Sequence, residues 1–578
     1  MNSNPIIGDA FYLLETKDTP EKFHDTSFGE RGWFIAWIAW YPILVAFKPR
    51  VVNAILEKKF YDRGWPSKVV GIQMDNLVSS SDDKWKVRRS LINPSFNLNV
   101  IQSYVPKAII NMQNLVKDIR KYNGKDVDFH GLLSEHIITL ILETTVGLEK
   151  GEDQKAKDTL LDIAKKYFTI QSESIDNPIW ILTDILSRLY QGAKLLNEGK
   201  KVISELIKPR LEDRQSDEFE HSHDASKSKN IPFLDQLIDA FVVGSRNMKR
   251  KINMRELLDE TISLGGASYE TTANTSTWTL FHLACYPECQ EKLYQELKCF
   301  EETDTNMTVA QIENFPYLDQ CLKENMRIFP PVSFTTRVVQ EDLQLDEFIV
   351  PKGIQAYISI HGAQRDEKIF ELPEKFDPER FSPENMTKLP PGSYVPFGYG
   401  PMRCIGERLA LCISKIIVAT VVKNFELIPV DKENVEYSLD VTPRPKKALS
   451  LGRPSVNSTS ELLVCSEKFR ESLVGKGSMA ASGLDGSVQF TSSKEYLECL
   501  VKAISGQSSI KSAGPPHLQR FNSTDTFNGL GSLVLPAQVK ELIGLVSFAY
   551  CLYECSEMSG DLNRYACQLA CIAEIANS

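Results

Sequence analysis

Pro396-Phe397-Gly398-Tyr399-Gly400-Pro401-Met402-Arg403-Cys404-Ile405-Gly406-Glu407-Arg408-Leu409-Ala410 is the most informative stretch of the chain. A loop rich in glycine and proline delivers one cysteine, and a helical pattern then runs from Glu407 to Phe425. A cysteine ahead of a helix meets the positive end of the macrodipole and backbone N–H groups that lack partners. Those donors, with Arg403 and Arg408, favour a thiolate at Cys404. Gly400 and Gly406 let the backbone come close to a flat, bulky partner. The same local features also suit a buried structural cysteine in front of a helix.

Outward from this loop, composition narrows the field. The chain has 578 residues, 42% hydrophobic and 25% charged, which excludes a wholly disordered, collagen-like or disulfide-scaffold protein. A net charge of -10 without a dense Lys/Arg cluster argues against a nucleic-acid partner. All 12 cysteines lie after residue 284 and none forms CxxC, the pattern of mostly reduced thiols in a cytosol-facing protein. The eight histidines are scattered with no HExxH, which speaks against zinc hydrolase chemistry, and His221 and His223 fall in a polar surface loop at 214–230.

Helical patterns dominate residues 1–452, with short strands between them. Residues 98–150 and 155–212 read as amphipathic helices, and 252–286 as one long helix starting at Asn253 and the Glu256–Glu260 run. Leu343 to Ser359 reads as strands with Pro351-Lys352-Gly353 as a hairpin turn, and 366–395 as an irregular meander. The longest apolar run, Trp33 to Phe47, is about 15 residues and broken by Pro42, short of the roughly 20 a spanning helix needs. It reads as two buried strands joined by a turn. The N-terminus has no basic leader and no long apolar core, so neither a signal peptide nor a transmembrane anchor is expected. Residues 453–535 read as a Ser/Gly-rich linker with a helix near 493–505, and 536–578 as an α-helical extension. That extension carries Cys551, Cys555, Cys567 and Cys571 as two CxxxC pairs. They suit a double disulfide across a helical hairpin, a four-cysteine metal site, or simple apolar packing.

Further motifs lie upstream of the cysteine. Glu324 and Arg327 stand at i, i+3 on a helix expected from Pro316 to Ile328, a spacing that by itself marks only an exposed ion pair of about 0.2–1 kcal/mol. Phe376-Asp377-Pro378-Glu379-Arg380-Phe381 follows. Gly265-Gly266-Ala267-Ser268-Tyr269-Glu270-Thr271-Thr272 sits within the long helix, where small residues let a flat group approach and a hydroxyl can open the helical ladder. Trp85 and Arg89 stand at i, i+4 before Asn93-Pro94-Ser95-Phe96, and Arg337 follows Pro330-Pro331-Val332-Ser333-Phe334.

Together these motifs resemble the cytochrome P-450 family over about residues 5–452. The cysteine stretch is similar to its haem-binding loop, Phe-x-x-Gly-x-Arg-x-Cys-x-Gly, with Phe397, Gly400, Cys404 and Gly406 in register. The resemblance implies a mainly α fold with small β-sheets and a non-covalent haem b held by Cys404 as axial iron ligand. It places Phe397, Gly400, Arg403, Gly406, Trp85, Arg89 and Arg337 around that haem. It makes Glu324, Arg327 and Arg380 a buried structural network, in which loss of one member costs roughly 3–5 kcal/mol. Glu270 and Thr271 become the proton route to bound oxygen. Ile262, Gly266, Ala267, Val332, Phe334 and the 64–80 loop become the substrate pocket. Ala267 stands where the fatty-acid-hydroxylase (family four) branch can carry a haem-linking glutamate, and an alanine forms no ester link.

The implied activity is a monooxygenase that inserts one atom of dioxygen into a hydrophobic substrate, the thiolate favouring O–O cleavage. No flavin or NADPH fingerprint is present in the sequence, so electrons are expected from NADPH-cytochrome P-450 reductase, with cytochrome b5 as a second donor. The resemblance also implies the cytosolic face of the endoplasmic reticulum membrane, through an anchor segment this chain does not show. One departure is Met402, where the family has an arginine that pairs with a haem propionate. Losing such a pair costs on the order of 1.5–3 kcal/mol and predicts weaker haem retention, unless Arg403 substitutes and Arg89 and Arg337 compensate. A peroxide-rearranging isomerase and a haem-poor interaction scaffold are the rival readings.

Overall fold

The computed structural model describes residues 30–38, 41–64, 67, 74–122, 127–147, 154–172, 181–215, 233–242, 251–300, 303–429, 437–438, 444–445 and 450–455. All of them belong to the unit Met1–Val456. The 214–230 loop beyond Gln215, the linker beyond Ser455, the helical extension and its four cysteines lie outside the described residues.

The described residues begin with strands because Pro42 and a run of aromatic and β-branched residues disfavour a helix. β1 (Trp33–Ile38) and β2 (Tyr41–Ala46) pair antiparallel, and β2 then lies parallel to β7 (Gln355–Ser359), which β4 (Phe334–Val338) completes in the order β1-β2-β7-β4. β2 is covered on both faces. Leu44 and Ala46 pack with α1 (Pro49–Leu56), while Ile43 and Val45 meet Phe34 and Phe47. The sequence reading of two buried strands needs correcting at the edge: β1, an edge strand among the described residues, exposes Ile35 and Trp37 on one face, the latter to 45%.

The helical body follows as α2 (Asp82–Ile92), α3 (Leu98–Lys121), β3 (Val127–Asp128), α4 (Phe129–Ile141), α5 (Gln154–Ser172), α6 (Ile181–Gln215) and α7 (Phe233–Val242). The 98–150 segment is thus two helices with a short strand between them, and α4 ends in a π-helical turn at Leu142–Val146. The long helix α8 (Met254–Cys285) is capped as its sequence suggested. Asn253 accepts from Glu256 N, and Glu256 accepts from Asn253 N, a reciprocal capping box. α9 (Pro287–Glu296), α10 (Val309–Glu313) and α11 (Pro316–Ile328) come next, α9 and α11 beginning with proline in the first turn, where its missing N–H is no loss.

β5 (Leu343–Leu345) and β6 (Phe348–Val350) form a separate antiparallel pair. The hairpin turn is therefore Asp346-Glu347, not Pro351-Lys352-Gly353. Gly353, at φ +96, donates to Val339 O and turns the chain from β6 into β7 of the other sheet. α12 (Ile360–Ala363), the meander with α13 (Pro383–Met386), the cysteine loop and α14 (Glu407–Asn424) complete the body. β8 (Glu426–Pro429) pairs with β11 (Ser450–Ser455), while β9 (Tyr437–Ser438) and β10 (Arg444–Pro445) form a small ladder. β11 pairs with β8 from Leu451 to Ser455, with a shift of register between Gly452 and Ser455. The main core lies among α3, α4, α8, α11 and α14. No helix of the described residues is long and apolar enough to cross a membrane.

Candidate functional site

Cys404 stands between a 3-10 turn at Gly400–Met402 and the first turn of α14. Its N–H donates to Phe397 O at 2.9 Å, and Arg403 N donates to Gly400 O at 3.1 Å, so the loop closes on itself. Gly400 has φ +70, and a Cβ there would lie 2.2 Å from Leu56 O at the end of α1. Only glycine lets the loop pass so close beneath that helix. At Gly406 a Cβ would meet Phe96 and the Cys404 sulfur at ordinary contact distance, so this glycine leaves space rather than relieving a clash.

Cys404 is exposed as a residue, yet protein atoms crowd its thiol. Burial raises the thiol pKa, and the Gly406 N–H, Arg89 and Arg63 pull it down less than burial lifts it. The backbone donor and the nearby positive charge that the sequence offered are thus present but do not outweigh burial. Arg403 pairs with Glu407 through both Nε and Nη2 and is 55% exposed. Arg408 pairs with Glu313 at 3.3 Å. Arg403 still interacts with the Cys404 sulfur through space, after its stronger pairing with Glu407. A thiol of this kind ionises when a metal cation binds the sulfur.

Two guanidinium groups, those of Arg63 and Arg89, act on the sulfur, and a third, that of Arg337, stands beside Arg63. Arg63 lies between α1 and α2, with its Nε buried and unpartnered. Its pKa is lowered to about 10 by burial and by Arg89. Arg337, on β4, is lowered to about 9 by burial and by Arg63, and its Nη1 donates only to Thr336 O and Thr335 Oγ1. Arg89, on α2, donates to Asn93 Oδ1 and to Arg403 O, and lies over the Trp85 ring at 5.8 Å. Among the described residues, no carboxylate pairs with any of the three. Buried like charges beside the sulfur suit an anion with a metal at its centre, and a haem with two propionates fits that donor set. Arg63 carries no motif and escaped the sequence reading; its only signal was a charge next to Gly64. Met402 is 6% exposed within the main core, a packing residue, and Arg63 rather than Arg403 joins Arg89 and Arg337.

On α8, Ala267 is exposed and Thr271 Oγ1 donates to Ala267 O at 2.7 Å, the back-bonding its sequence allowed. A Cβ at Gly265 would meet nothing within 4 Å. Glu270 is buried and accepts from Asn274 Nδ2 at 3.2 Å. Ile262, Gly266, Val332 and Phe334 are half-buried, and Phe334 stacks on Tyr357 at 4.3 Å.

The Glu324 network forms in full. Arg327 donates bidentately to Glu324 at 2.7 and 2.9 Å with both side chains fully buried, and Arg380 Nε lies 3.3 Å from Glu324 Oε1. Arg327 also donates to the carbonyls of Gln364 and Pro373. Gln364, which no motif marked, binds Met326 O, Arg327 O and Val395 N. The network therefore reaches the residue before Pro396 and steadies the strand of chain entering the cysteine loop.

A mainly helical fold with this cysteine site defines a haem-thiolate monooxygenase, an oxidoreductase whose cofactor is haem b. The chain belongs to the cytochrome P-450 family, whose model matches residues 2–451. It is 26% identical to cytochrome P-450 4c21 of Blattella germanica, over 78% of this chain and 91% of that one. It is 28% identical to cytochrome P-450 4c3 of Drosophila melanogaster, over 77% and 86%. Cytochrome P-450 3A7 of Homo sapiens is 26% identical over 69% and 79%. In fold it is similar to the retinoic-acid-bound cyanobacterial CYP120A1, at TM-score 0.64 and 23% identity, covering 78% of this chain and 97% of that one.

Proposed function

We propose that Cys404 would hold the haem iron through its sulfur and that Arg63, Arg89 and Arg337, with Trp85, would hold the propionates. The protein then hydroxylates a fatty-acid-like substrate with electrons from a separate NADPH-dependent reductase. The observation that carries this is the placement of Arg63 and Arg89 beside the Cys404 sulfur at the head of α14, with Arg337 next to Arg63 and no carboxylate partner for the three among the described residues. Bound haem supplies the oxygen-activating chemistry. The chain's own residues do the rest: Cys404 donates charge, the arginines orient, and Thr271 and Glu270 hold and pass a proton on the open side of α8. Ile262, Gly266, Ala267, Val332 and Phe334 give the chamber an apolar lining, which suits an acyl chain. The fatty-acid class rests on the resemblance to the fatty-acid-hydroxylase branch, and the relatives carry family-four names. Docking on the cytosolic face of the endoplasmic reticulum, with cytochrome b5 as a second electron donor, completes the proposal.

Retention of Glu270 and Thr271 favours oxygen activation over peroxide rearrangement, and the arginine cluster opposes a haem-poor scaffold. The test is a reduced carbon-monoxide difference spectrum of purified, haem-supplied protein, followed by lauric acid turnover with added reductase. A thiolate-type band that Cys404→Ala abolishes, with NADPH-dependent hydroxylation, is expected. A haem that binds equally well to Cys404→Ala overturns the assignment.

A further inference from the structure

The first turns of α8 hold three buried acids that the oxygen site does not use: Glu256, Asp259 and Glu260, at 5%, 0% and 3% exposure. Asp259 serves two neighbours at once. Its Oδ1 lies 2.6 Å from Lys200 Nζ on α6, and its Oδ2 accepts from Asp75 N at 2.8 Å. Arg255, the preceding turn's cation, is 63% exposed and reaches Oδ2 only at 3.4 Å. Glu260 accepts from Leu77 N at 3.0 Å, and Arg88 on α2 ion-pairs with Asp75, Glu256 and Glu260 at 3.1 to 3.2 Å.

These bonds sit beside the chamber. Ile262 is one turn after Asp259 and so shares its face of α8. A Cβ on Gly199, next to Lys200, would lie 3.7 Å from Ile262 Cδ1, so the α6 backbone rests directly on that side chain. Segment 74–77 and α6 are thus two walls that meet at one carboxylate. The two attachments differ in redundancy. Arg88 and Glu260 also hold segment 74–77, whereas Lys200 ties this stretch of α6 to Asp259. A carboxylate without exposed surface is stable only while paired, so loss of Lys200 leaves a charge that draws in water and parts the helices.

We propose that Asp259 is a positioning residue of the substrate chamber: its one carboxylate clamps segment 74–77 and α6 to α8, and the Lys200 half is the latch that releases to admit a hydrophobic substrate. This rests on the chamber beside Ile262 and Ala267 being the substrate's. The test uses the full-length haem protein with Asp259→Asn, Lys200→Met and Lys200→Arg. Hydrogen exchange is followed in peptides covering 74–80 and 191–205, and the association rate of 4-phenylimidazole by stopped-flow absorbance.

Lys200→Met is expected to speed exchange at least tenfold in 191–205 only, Asp259→Asn in both segments, and Lys200→Arg to stay near wild type. Association is expected to rise at least fivefold in the first two variants while the thiolate-type carbon-monoxide band persists. Unchanged exchange in 191–205 for Lys200→Met overturns the latch, as does faster exchange with an unchanged association rate. Should Asp259→Asn fail to fold, the two Lys200 variants decide the matter. Absence of a thiolate band even in wild type would overturn the functional reading instead, and the exchange pattern, which needs no haem, would still decide the clamp.

Discussion

Gln364 accepts from the backbone N–H of Val395 at 2.9 Å while its amide nitrogen donates to Met326 O and Arg327 O. One side chain thereby splices the end of α11 to the chain entering the cysteine loop. Gln364→Leu keeps the volume and removes all these bonds, leaving buried backbone groups unpaired. The expected loss is roughly 2–4 kcal/mol, since each orphaned buried group costs about 1–3 kcal/mol. Urea unfolding and haem content per chain measure it, and both are expected to fall together.

Glu324 shows the cost of breaking a buried network. It is fully buried between Arg327 and Arg380 and also accepts from Asp377 N. Burial pushes its carboxyl pKa up, and Arg327 opposes that. Glu324→Leu strands the fully buried Arg327 charge and is expected to destabilise by roughly 3–5 kcal/mol. Soluble yield and the unfolding midpoint are the measurements, and little haem protein is expected.

Arg63→Met tests the anion cradle. Removing one charge-assisted contact to a propionate, about 1.5–3 kcal/mol, predicts haem affinity weaker by roughly 10–100-fold. Haem transfer to apomyoglobin reports the dissociation rate. Met402→Arg is expected to strengthen retention by less than Arg63→Met weakens it, because the side chain at 402 must first leave the core it packs in.

The parts of this protein legible from sequence were those whose chemistry demands a fixed residue at a fixed spacing. Cys404 with Gly400 was such a case, since a positive φ under α1 admits only glycine. Asn253 and Glu256 announced the start of α8 because a capping box needs both ends. Glu324 and Arg327 were legible only with Arg380, as the pair alone is indistinguishable from a surface ion pair. Arg63, Gln364 and the Asp259–Lys200 bond were invisible because each joins segments far apart in the chain, and no local spacing encodes the meeting. Arg403 is the opposite case: its ion pair with Glu407, at i+4 across the start of the new helix, is one that local spacing does encode.

His282 makes the fold sensitive to acid. It lies on α8, stacked on Phe376 at 4.7 Å and Phe329 at 5.5 Å, with Nδ1 3.0 Å from Asn325 Oδ1. Asn325 Nδ2 donates to Thr275 O, so its oxygen is the end that faces the ring, and the ring is neutral with a proton on Nδ1. Burial lowers the His282 pKa to about 4, the Asn325 bond opposes this, and Arg327 and Arg365 add to it. The unfolded chain, at about 6.5, therefore binds more protons than the native one between the two values. This contribution to stability is complete above pH 6.5 and is lost as pH falls towards 4, by roughly 3 kcal/mol. His282→Leu, which cannot take up a proton, is expected to be less stable at pH 7.5, because Asn325 loses its partner, but to show a shallower fall in unfolding free energy from pH 6.5 to 4.5. Urea unfolding across that range measures the slope. A slope as steep as wild type would place the acid sensitivity in another group, with buried His361, also depressed by burial and by Arg365 and Arg327, the next to substitute.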